Sequence, residues 1–309
     1  MVMAGGIPDD FARMTMTRSG VAGRAWLDRL PDILDICARR WGLTLGAPMI
    51  PLSYNYVVPA RCADGTAAIL KVCVPGGEFA RQAAALRLFD GEGAARLLAC
   101  DPGDEALLVE RCEPGIPLRQ ETVVDDDRAT AIACEVMRRL WRLAPSDSPF
   151  PSMSDWNADL EHLRPHYGGG TGPFPVAIIE EVETLVAELT ASAPAPILLH
   201  GDLHYDNILA ARREPWLAID PKGLTGEPAY ETGVLLYNPY PLLIDAPDSR
   251  HVLARRVDQL AEQLAVDRAR VRGWGLVRAV LSAWWHVEST GHVRGAALTC
   301  AELLASIDA

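Results

Sequence analysis

The chain has 309 residues, of which 49% are apolar, and it carries a formal net charge of −12. This length predicts two lobes with a sizeable core, whereas the excess of acidic residues disfavours nucleic acid as a partner. No apolar run approaches the ~18 residues of a membrane span, and no secretory leader is recognisable between Met1 and Asp10. The seven scattered cysteines include no Cys-x-x-Cys pair, which is typical of a reduced, cytoplasmic protein.

The negative charge is concentrated in the second part of the chain. Through Cys112 there are 12 basic and 13 acidic residues, whereas from Glu113 onward there are 17 and 28. An acidic region of this kind attracts cationic ligands, although a solvated acidic surface is the simpler explanation of the counts alone. Arginines number 27 and lysines only two, Lys71 and Lys222, so a retained lysine hints at a position that needs a compact ammonium group.

The first third of the chain predicts a small sheet with one helix packed on it. Helical periodicity runs from Gly23 to Trp41, where Pro31 is expected to separate two helices, and residues 1–20 are expected to be peripheral. The dipeptide Asp64-Gly65 between two alternating apolar segments predicts a β-hairpin. The predicted elements that follow are strands at 52–60, 66–74, 96–100 and 106–110 and a helix at 78–89.

The pattern becomes mainly helical after Glu113-Pro114-Gly115, which predicts a hinge. We therefore predict an α+β fold with a small β-rich N-terminal lobe at 1–112, including helices at about 22–41, and a larger helical lobe at 113–309. The helices predicted in the second lobe are 127–143, 176–189, 230–236, 249–264, 268–288 and 294–307.

Three polar residues follow short apolar strands in the second lobe. The strand 197–199 leads into His200-Gly201-Asp202, Asn207 lies five residues later, and a second apolar strand, 216–219, precedes Asp220. Phosphoryl transfer uses one carboxylate to accept the proton of an attacking hydroxyl, and an amide oxygen with a second carboxylate to hold Mg²⁺. We predict these roles for Asp202 and for Asn207 with Asp220.

The spacing resembles the protein-kinase pattern H-R-D-x-x-x-x-N followed by a metal-binding Asp. Gly201 replaces the arginine of that pattern, which favours a small-molecule kinase over a protein kinase. Taken singly, each residue has an ordinary structural explanation, namely a turn or a cap. The joint spacing favours catalysis, and the lack of a G-x-S-x-G sequence removes the simplest hydrolase alternative.

Lys71 is the candidate phosphate ligand. It lies within a predicted strand between apolar neighbours, where a buried ammonium group needs a partner; the alternative is an edge-strand lysine that points to water. Glu78 and Gln82 are the two candidate partners on the following helix. Ser53 and Asn55 lie where a phosphate-covering loop is expected, although the glycine-rich G-x-G-x-x-G is missing.

Other side chains are candidates for the substrate site. Asp206, Glu227, Glu231 and Glu288 are candidates for recognition of an ammonium group, and Trp285 is a candidate for lining a substrate cleft. Packing of the Trp284-Trp285 pair in the core is the more favoured alternative. His200 is expected to bond a backbone carbonyl.

The chain resembles the aminoglycoside phosphotransferase family, in particular its streptomycin 6-phosphotransferase and hydroxyurea-kinase-like branch. The resemblance spans nearly the whole chain and is most specific in the last two of its segments. The similar segments are 24–27 with 30–31, 67–71, 85–87, 107–111, 200–209 and 214–223.

The resemblance implies a two-lobed, protein-kinase-like fold in which ATP, or alternatively GTP, binds between the lobes. Its adenine would contact Glu110, Arg111 and Cys112, and Mg²⁺ would be the metal. The implied function is phosphorylation of a hydroxyl group on a cationic, streptomycin-like antibiotic, which confers resistance, by a monomer or homodimer. The alternatives are a metabolic kinase of an amino sugar or other small alcohol and a non-catalytic nucleotide-binding regulator.

Overall fold

The computed structural model describes residues 6–145, 147, 149–239, 243, 248–293 and 295–308. Its internal contacts define two compact units, Met1–Gly115 and Ile116–Ala309. Among the described residues, no helix combines the length and the apolar composition that crossing a bilayer requires. The lobe boundary predicted after residue 112 stays a prediction.

Unit 1 is built on a five-stranded antiparallel sheet with the strand order β1-β2-β3-β5-β4. The hairpin predicted around Asp64-Gly65 forms as β2 and β3, and Gly65 has the positive φ (88°) that its turn requires. The elements of unit 1 are α1 (Asp9–Trp41), β1 (Thr44–Leu45), β2 (Tyr56–Arg61), β3 (Ala67–Val72), α2 (Glu78–Phe89), β4 (Leu97–Asp101) and β5 (Ala106–Glu110).

Helix α1 begins earlier than predicted, so the expectation of a peripheral segment is wrong from Asp9 onward. Phe11 is buried and its ring lies 6.0 Å from that of Trp26 and 5.8 Å from that of Tyr56. The helical direction changes at Gly20, which has non-helical torsion angles (φ 51°, ψ −129°). The kink lets the first turns fold back onto the same apolar core. Residues 1–5 lie outside the described part of the chain.

Pro31 does not separate two helices, and this part of the prediction is wrong. The helical segment continues from Gly23 through Pro31 to Trp41. Leu30, Ile33 and Leu34 around the proline are all buried in the core of unit 1. Burial of this apolar face compensates for the hydrogen bond that proline cannot donate.

Unit 2 is mainly helical, as predicted. Two 3₁₀ turns, Ala158–His162 and Tyr205–Asn207, supplement its regular elements. The predicted helix start at Arg294 lies outside the described residues. The elements are α3 (Arg119–Val124), α4 (Asp126–Leu140), α5 (Met153–Asn157), α6 (Leu163–His166), α7 (Val176–Ala191), β6 (Ile197–Leu199), β7 (Ile208–Ala210), β8 (Trp216–Ala218), β9 (Leu224–Gly226), α8 (Pro228–Leu236), α9 (Ser249–Leu264), α10 (Arg268–Thr290) and α11 (Gly295–Ala305).

Two short antiparallel strand pairs, β6 with β9 and β7 with β8, carry the predicted motif residues of unit 2. Strand β9 was not predicted. Helix α10 lies at the centre of the helices and is buried along most of its length; Trp274 and Trp284 are among its fully buried residues. Core packing is therefore the role of Trp284. This rigid apolar frame positions the loops that follow β6 and β8.

Candidate active site

The loop after β6 makes a sharp turn at Gly201. This residue has φ of 86°, a conformation that side chains with a Cβ rarely adopt. A Cβ at this position would also lie 3.1 Å from Trp156 Cη2 and 3.3 Å from Lys222 Cβ. The arginine of the protein-kinase pattern therefore does not fit here, and glycine lets the backbone deliver Asp202 directly after a buried strand.

His200 connects this loop to the strand that precedes Asp220. The fully buried imidazole bonds the carbonyl of Ile219 through Nε2 at 2.8 Å, and its Nδ1 accepts a bond from the backbone N–H of Asp202 at 3.2 Å. Burial lowers the pKa of His200 to about 3, so the ring is neutral and donates from Nε2. The prediction that His200 bonds a backbone carbonyl is confirmed.

Asn207 joins the same network. Its Nδ2 donates to the carbonyl of Asp202 at 2.9 Å, and its own carbonyl accepts from the N–H of Ile219 at 2.9 Å. Since Nδ2 is engaged, Oδ1 is the atom of this amide suited to bind a cation. Asp220 follows with φ of 63°, a strained backbone conformation of the kind that clusters at functional sites. One hydrogen-bonded unit thus carries Asp202, Asn207 and Asp220.

The Asp202 carboxylate is half-buried, so a substrate hydroxyl can approach it. Its Oδ2 lies 3.9 Å from Nε2 of His204. The other ring nitrogen of His204 accepts from the backbone N–H of Asp206 at 3.2 Å, which fixes the ring and leaves the Nε2 proton on the side of Asp202. The carboxylate is therefore positioned by its backbone and has one polar neighbour close by.

The donor set of Asn207 and Asp220 fits Mg²⁺. Both supply hard oxygen atoms, and Mg²⁺ commonly takes only one or two protein ligands together with phosphate and water. Within the described ranges, no group of three or more His, Cys, Asp or Glu side chains is arranged to hold a metal ion. The chemistry of this pair therefore suits a metal that arrives with a phosphorylated ligand.

Glu231 on α8 holds the loop after β6 from within the protein. This carboxylate is only 2% exposed and accepts bonds from the N–H groups of His200 (2.5 Å) and Gly201 (3.0 Å). Burial raises the pKa of Glu231 to about 7, against the opposing effect of these two bonds. The substrate-binding role predicted for Glu231 stays untested, and the geometry favours a positioning role because the carboxylate faces backbone groups.

Arg278 on α10 holds the same turn. The buried guanidinium donates from Nη2 to the carbonyl of Gly201 at 2.9 Å, and its central carbon lies 5.0 Å from the ring centroids of both Trp156 and Tyr230. Arg278 is not among the site residues predicted from the sequence. A lone arginine among apolar positions of a helix was the available signal, and it did not reveal a partner 77 residues away.

Trp285 and Glu288 belong to an aromatic–acidic cluster formed by Trp156, Asp159, Trp285 and Glu288. Trp285 Nε1 donates to Asp159 Oδ2 at 2.7 Å, and its ring meets that of Trp156 edge-on with centroids 5.5 Å apart. Burial and the neighbouring Asp159 raise the pKa of Glu288. Since Trp156 also contacts the turn at Gly201, the cluster adjoins the loop of Asp202 within unit 2.

Asp206 lies in an ion pair at the surface. Its Oδ1 is 2.8 Å from Nε of Arg119 in α3, and the side chains of Arg119 and Asp206 are 45% and 40% exposed. This pairing partly satisfies the carboxylate that was predicted to recognise an ammonium group. The substrate role of Asp206 stays a prediction.

The candidate nucleotide residues of unit 1 lie on the sheet and its loops. Lys71 is buried in β3, where it pairs with Val57 of β2 and Leu107 of β5. Strand β3 is therefore not an edge strand, which removes the alternative of an edge-strand lysine. Gln82 is buried on α2 and Glu78 is half-buried at its start. Which of the two partners Lys71 stays a prediction.

The loop before β2 is tied to the rest of unit 1. Asn55 is buried, and its Oδ1 accepts from the N–H of Val74 at 3.0 Å, so the amide joins the start of β2 to the end of β3. Ser53 is exposed, and its carbonyl accepts from Nη1 of Arg18 at 2.7 Å. These bonds stabilise the loop in which phosphate contacts were predicted, and those contacts stay predictions.

The segment predicted to contact adenine follows β5. Glu110 joins the end of β5 to the start of β4, because its Oε2 accepts from the N–H of Arg96 at 3.1 Å. The N–H of Arg111 donates to the carbonyl of Ala67 at 3.3 Å, and Cys112 is buried. The backbone of this segment is thus fixed to the sheet, while its contact with a nucleotide stays a prediction.

Comparison with known proteins places this arrangement in a family. The chain is 33% identical over 300 residues to the streptomycin 6-kinase of Streptomyces glaucescens, with 96% of each chain covered. It is also 33% identical over 283 residues to the hydroxyurea phosphotransferase of Kitasatospora aureofaciens, which covers 91% of this chain and 80% of that one.

A solved structure agrees on the fold. The crystal structure of a choline/ethanolamine kinase family protein from Mesorhizobium loti superimposes with a TM-score of 0.63 at 16% identity, covering 88% of this chain and 95% of the other. The predicted two-lobed, kinase-like α+β fold is confirmed, as is the prediction of a phosphotransferase that acts on an alcohol group. Residues 40–290 match the family described as aminoglycoside/hydroxyurea antibiotic resistance kinase, and the chain belongs to that family.

Proposed function

We propose that this protein is a Mg²⁺- and ATP-dependent kinase that phosphorylates a hydroxyl group of a cationic, streptomycin-like aminoglycoside and thereby confers resistance. The observation that carries the proposal is the hydrogen-bonded unit of His200, Asp202, Asn207 and Ile219, which leads directly into Asp220. This unit supports the proposal because it joins the backbone of one candidate base to that of two candidate oxygen donors, in the chain order that phosphoryl transfer uses.

Asp202 is the general base of the proposed reaction. As the acceptor's hydroxyl oxygen bonds to the γ-phosphorus, the bond from that phosphorus to the β,γ-bridging oxygen breaks and ADP leaves. The proton of the hydroxyl passes to the Asp202 carboxylate. The half-buried position of this carboxylate suits the role, because it combines access for the acceptor with a backbone held by His200 and Asn207.

Asn207 and Asp220 would hold the magnesium ion through oxygen atoms. The ion, when bound, neutralises charge on the phosphates and makes the terminal phosphoryl group more electrophilic. Lys71 is the proposed phosphate ligand, in keeping with a buried lysine in a central strand. ATP is the proposed nucleotide, and a direct comparison with GTP tests that choice.

The aromatic–acidic cluster is the proposed recognition site for a cationic acceptor. Asp159 and Glu288 supply negative charge beside the rings of Trp156 and Trp285, and the cluster adjoins the Asp202 loop. The similarity of this chain to the streptomycin 6-kinase from Streptomyces glaucescens favours an aminoglycoside as the acceptor. Hydroxyurea is the second candidate, because the related hydroxyurea phosphotransferase is as similar in sequence.

A panel of acceptors tests the proposal. Purified protein is supplied with Mg²⁺ and either ATP or GTP, and nucleoside diphosphate release is measured with streptomycin, hydroxyurea, an amino sugar and choline. We expect Mg²⁺-dependent release of ADP with streptomycin, together with a phosphorylated product in mass spectrometry. Turnover with the amino sugar or choline alone would favour a metabolic kinase, and nucleotide binding without turnover of any acceptor would favour a regulator.

The cytoplasm is the proposed location of the enzyme. All seven cysteines are free thiols, which suits the reducing cytoplasm. Monomer and homodimer remain the two predicted states of assembly.

A further inference from the structure

A cavity lies in unit 2 beside α7, and its lining includes none of the four residues of the aromatic–acidic cluster. It measures about 520 Å³, a size that accommodates small organic molecules. We call it the α7 cavity. Its opposite wall is formed by α5, α6 and the 3₁₀ turn between them. Its apolar lining comes from Leu160, Leu163, Ile179, Val182 and Val186.

Two residues that line the α7 cavity each carry a buried polar atom with unused hydrogen-bonding capacity. Asn157 is only 3% exposed, and its Oδ1 accepts from the hydroxyl of Tyr230 at 2.9 Å, which assigns Nδ2 to the other side of the amide. Among the described residues, neither Nδ2 of Asn157 nor Oγ1 of Thr190 has a hydrogen-bond partner. A buried donor without a partner is unfavourable, so a ligand that accepts from Asn157 would be stabilised here.

The charges around the α7 cavity restrict the ligand further. Glu183 is neutralised by a bidentate ion pair with Arg164. The Nε and Nη2 atoms of Arg164 lie 2.5 and 2.9 Å from the two carboxylate oxygens of Glu183. Glu161 is exposed at the wall and would repel an anion. A cation cannot accept the bond that Asn157 offers. The lining therefore suits a neutral molecule.

We propose that the α7 cavity is a binding site for a neutral, mainly apolar small molecule that carries one hydrogen-bond acceptor, such as a carbonyl oxygen. The acceptor binds Nδ2 of Asn157 and the hydroxyl of Thr190, and the apolar part packs between α7 and the segment of α5 and α6. The lining of this site shares no residue with those proposed for phosphoryl transfer or for recognition of the acceptor.

A short chain of contacts connects the α7 cavity to the loop of Asp202. Asn157 holds the hydroxyl of Tyr230, the Tyr230 ring lies against the guanidinium of Arg278, and Arg278 donates to the carbonyl of Gly201. A ligand bound to Asn157 would restrict the motion of the Asn157 side chain, which is the first residue in this series of contacts. We expect occupancy to slow backbone opening at Gly201 and Asp202.

Benzophenone is a suitable probe, because it is neutral and apolar and has one carbonyl. On irradiation its carbonyl carbon forms a bond to a nearby C–H carbon while its oxygen takes the hydrogen, so the attachment site can be mapped by mass spectrometry. We expect saturable binding in the dark and labelling confined to peptides of α5, α6 and α7. Labelling elsewhere, or labelling that does not saturate, would overturn the proposal.

Variants on α7 separate the cavity from general surface binding. Ala187 lines the cavity and is exposed, so Ala187→Phe fills the space with little effect on folding, whereas Thr184 on the same helix is exposed and outside the lining. We expect Ala187→Phe to weaken benzophenone binding at least tenfold, Thr190→Val to weaken it severalfold, and Thr184→Phe to leave it unchanged. Equal binding by Ala187→Phe and the unaltered protein would refute the site.

Hydrogen exchange tests the connection independently of kinase activity. With benzophenone bound, amides in the segment 198–204 are expected to exchange at least twofold more slowly in the unaltered protein and at an unchanged rate in Ala187→Phe. Unchanged exchange in both proteins at saturating benzophenone would refute the link to the Asp202 loop.

Discussion

Asp202 carries the proposed chemistry at the residue scale. Replacing it with asparagine keeps the size of the side chain but removes the base. We expect Asp202→Asn to lower kcat by roughly 10²–10⁴-fold, the range typical of a lost general base, with little change in the affinity for ATP. The measurement is steady-state turnover together with nucleotide titration of the variant.

Asp258→Asn is the matched control for this variant. Asp258 lies on α9 in an exposed ion pair with Arg268, so its replacement should leave kcat and the melting temperature close to those of the unaltered enzyme. Full turnover by Asp202→Asn would remove Asp202 from the role of base. A melting temperature lowered in this variant alone would instead point to a role in folding.

His200 makes the stability of the protein depend on pH. Its pKa is about 3 in the folded state and about 6.5 when unfolded, so between these values the unfolded chain holds more protons. The contribution of the neutral His200 to the free energy of unfolding is therefore complete above about pH 6.5, and it is lost as the pH falls from there towards about 3. Glutamine in His200→Gln keeps one donor and one acceptor but does not titrate. We expect it to reduce, by about one proton, the slope of the unfolding free energy against pH between about 4 and 6.

The comparison of the two proteins isolates His200 from its titrating neighbours. Glu231, whose pKa is raised to about 7 by burial, acts with the opposite sign, since its folded state holds the extra proton. Glu231, Asp220, His204 and Lys222 are present in both proteins, so their contributions largely cancel. An unaltered slope in His200→Gln would contradict a buried, neutral imidazole.

At the scale of elements, the bounds of a helix or strand could be predicted from the sequence where local residues alone determine them. Helix α2 and strand β5 begin and end where periodicity placed them, because their apolar positions and flanking turns are local signals. Strand β9 was missed because three residues ending in glycine carry no alternation; its pairing with β6 defines it. The path of α1 through Pro31 depends on tertiary burial, which a local rule does not capture.

The same distinction applies to the candidate site. Asp202, Asn207 and Asp220 could be predicted together because the roles proposed for them impose a fixed order and spacing. The groups that hold them were not, because Glu231 and Arg278 reach the loop from helices 30 or more residues further along the chain. The sequence predicts a substrate role for Glu231 from its charge alone, because its burial and its bonds to the loop after β6 are visible only in the structure.

Helices α4 and α9 are joined by a buried ion pair that also supports the turn before Asn207. Arg256 and Arg255 both pair with Asp126, but the Arg256 side chain is 2% exposed and that of Arg255 is 37% exposed. The Arg256 guanidinium carbon also lies 5.0 Å from the ring centroid of Tyr205. Breaking a buried pair typically costs about 3–5 kcal/mol, whereas an exposed pair contributes about 1 kcal/mol or less.

We therefore expect Arg256→Met to lower the free energy of unfolding by about 3 kcal/mol and Arg255→Met by about 1 kcal/mol or less. Denaturant titration of both variants measures the difference. Arg256→Met should also raise the Mg²⁺ concentration that gives half-maximal turnover, because Tyr205 begins the turn that positions Asn207. Similar destabilisation by the two variants would show that burial of Arg256 has little energetic importance.

At the scale of the whole molecule, the two units differ in charge. Residues 116–309 contain 17 basic and 27 acidic residues, whereas residues 1–115 contain 12 and 14. The Asp202 loop and the aromatic–acidic cluster, which is the proposed acceptor site, both belong to the strongly acidic unit. A negative field of this extent raises the local concentration of a cationic acceptor, and added salt screens it.

The salt dependence of KM tests whether this field serves substrate capture. Raising the ionic strength from about 0.05 to about 0.5 M shortens the Debye length from more than 10 Å to less than 5 Å. We expect KM for streptomycin to rise severalfold over this range while kcat changes little, because screening acts on encounter and binding. Hydroxyurea is neutral and serves as the matched acceptor, so its KM should stay nearly constant. If KM for both acceptors rises equally, salt acts on the protein or the nucleotide, and the acidic unit has no specific part in recognising the acceptor.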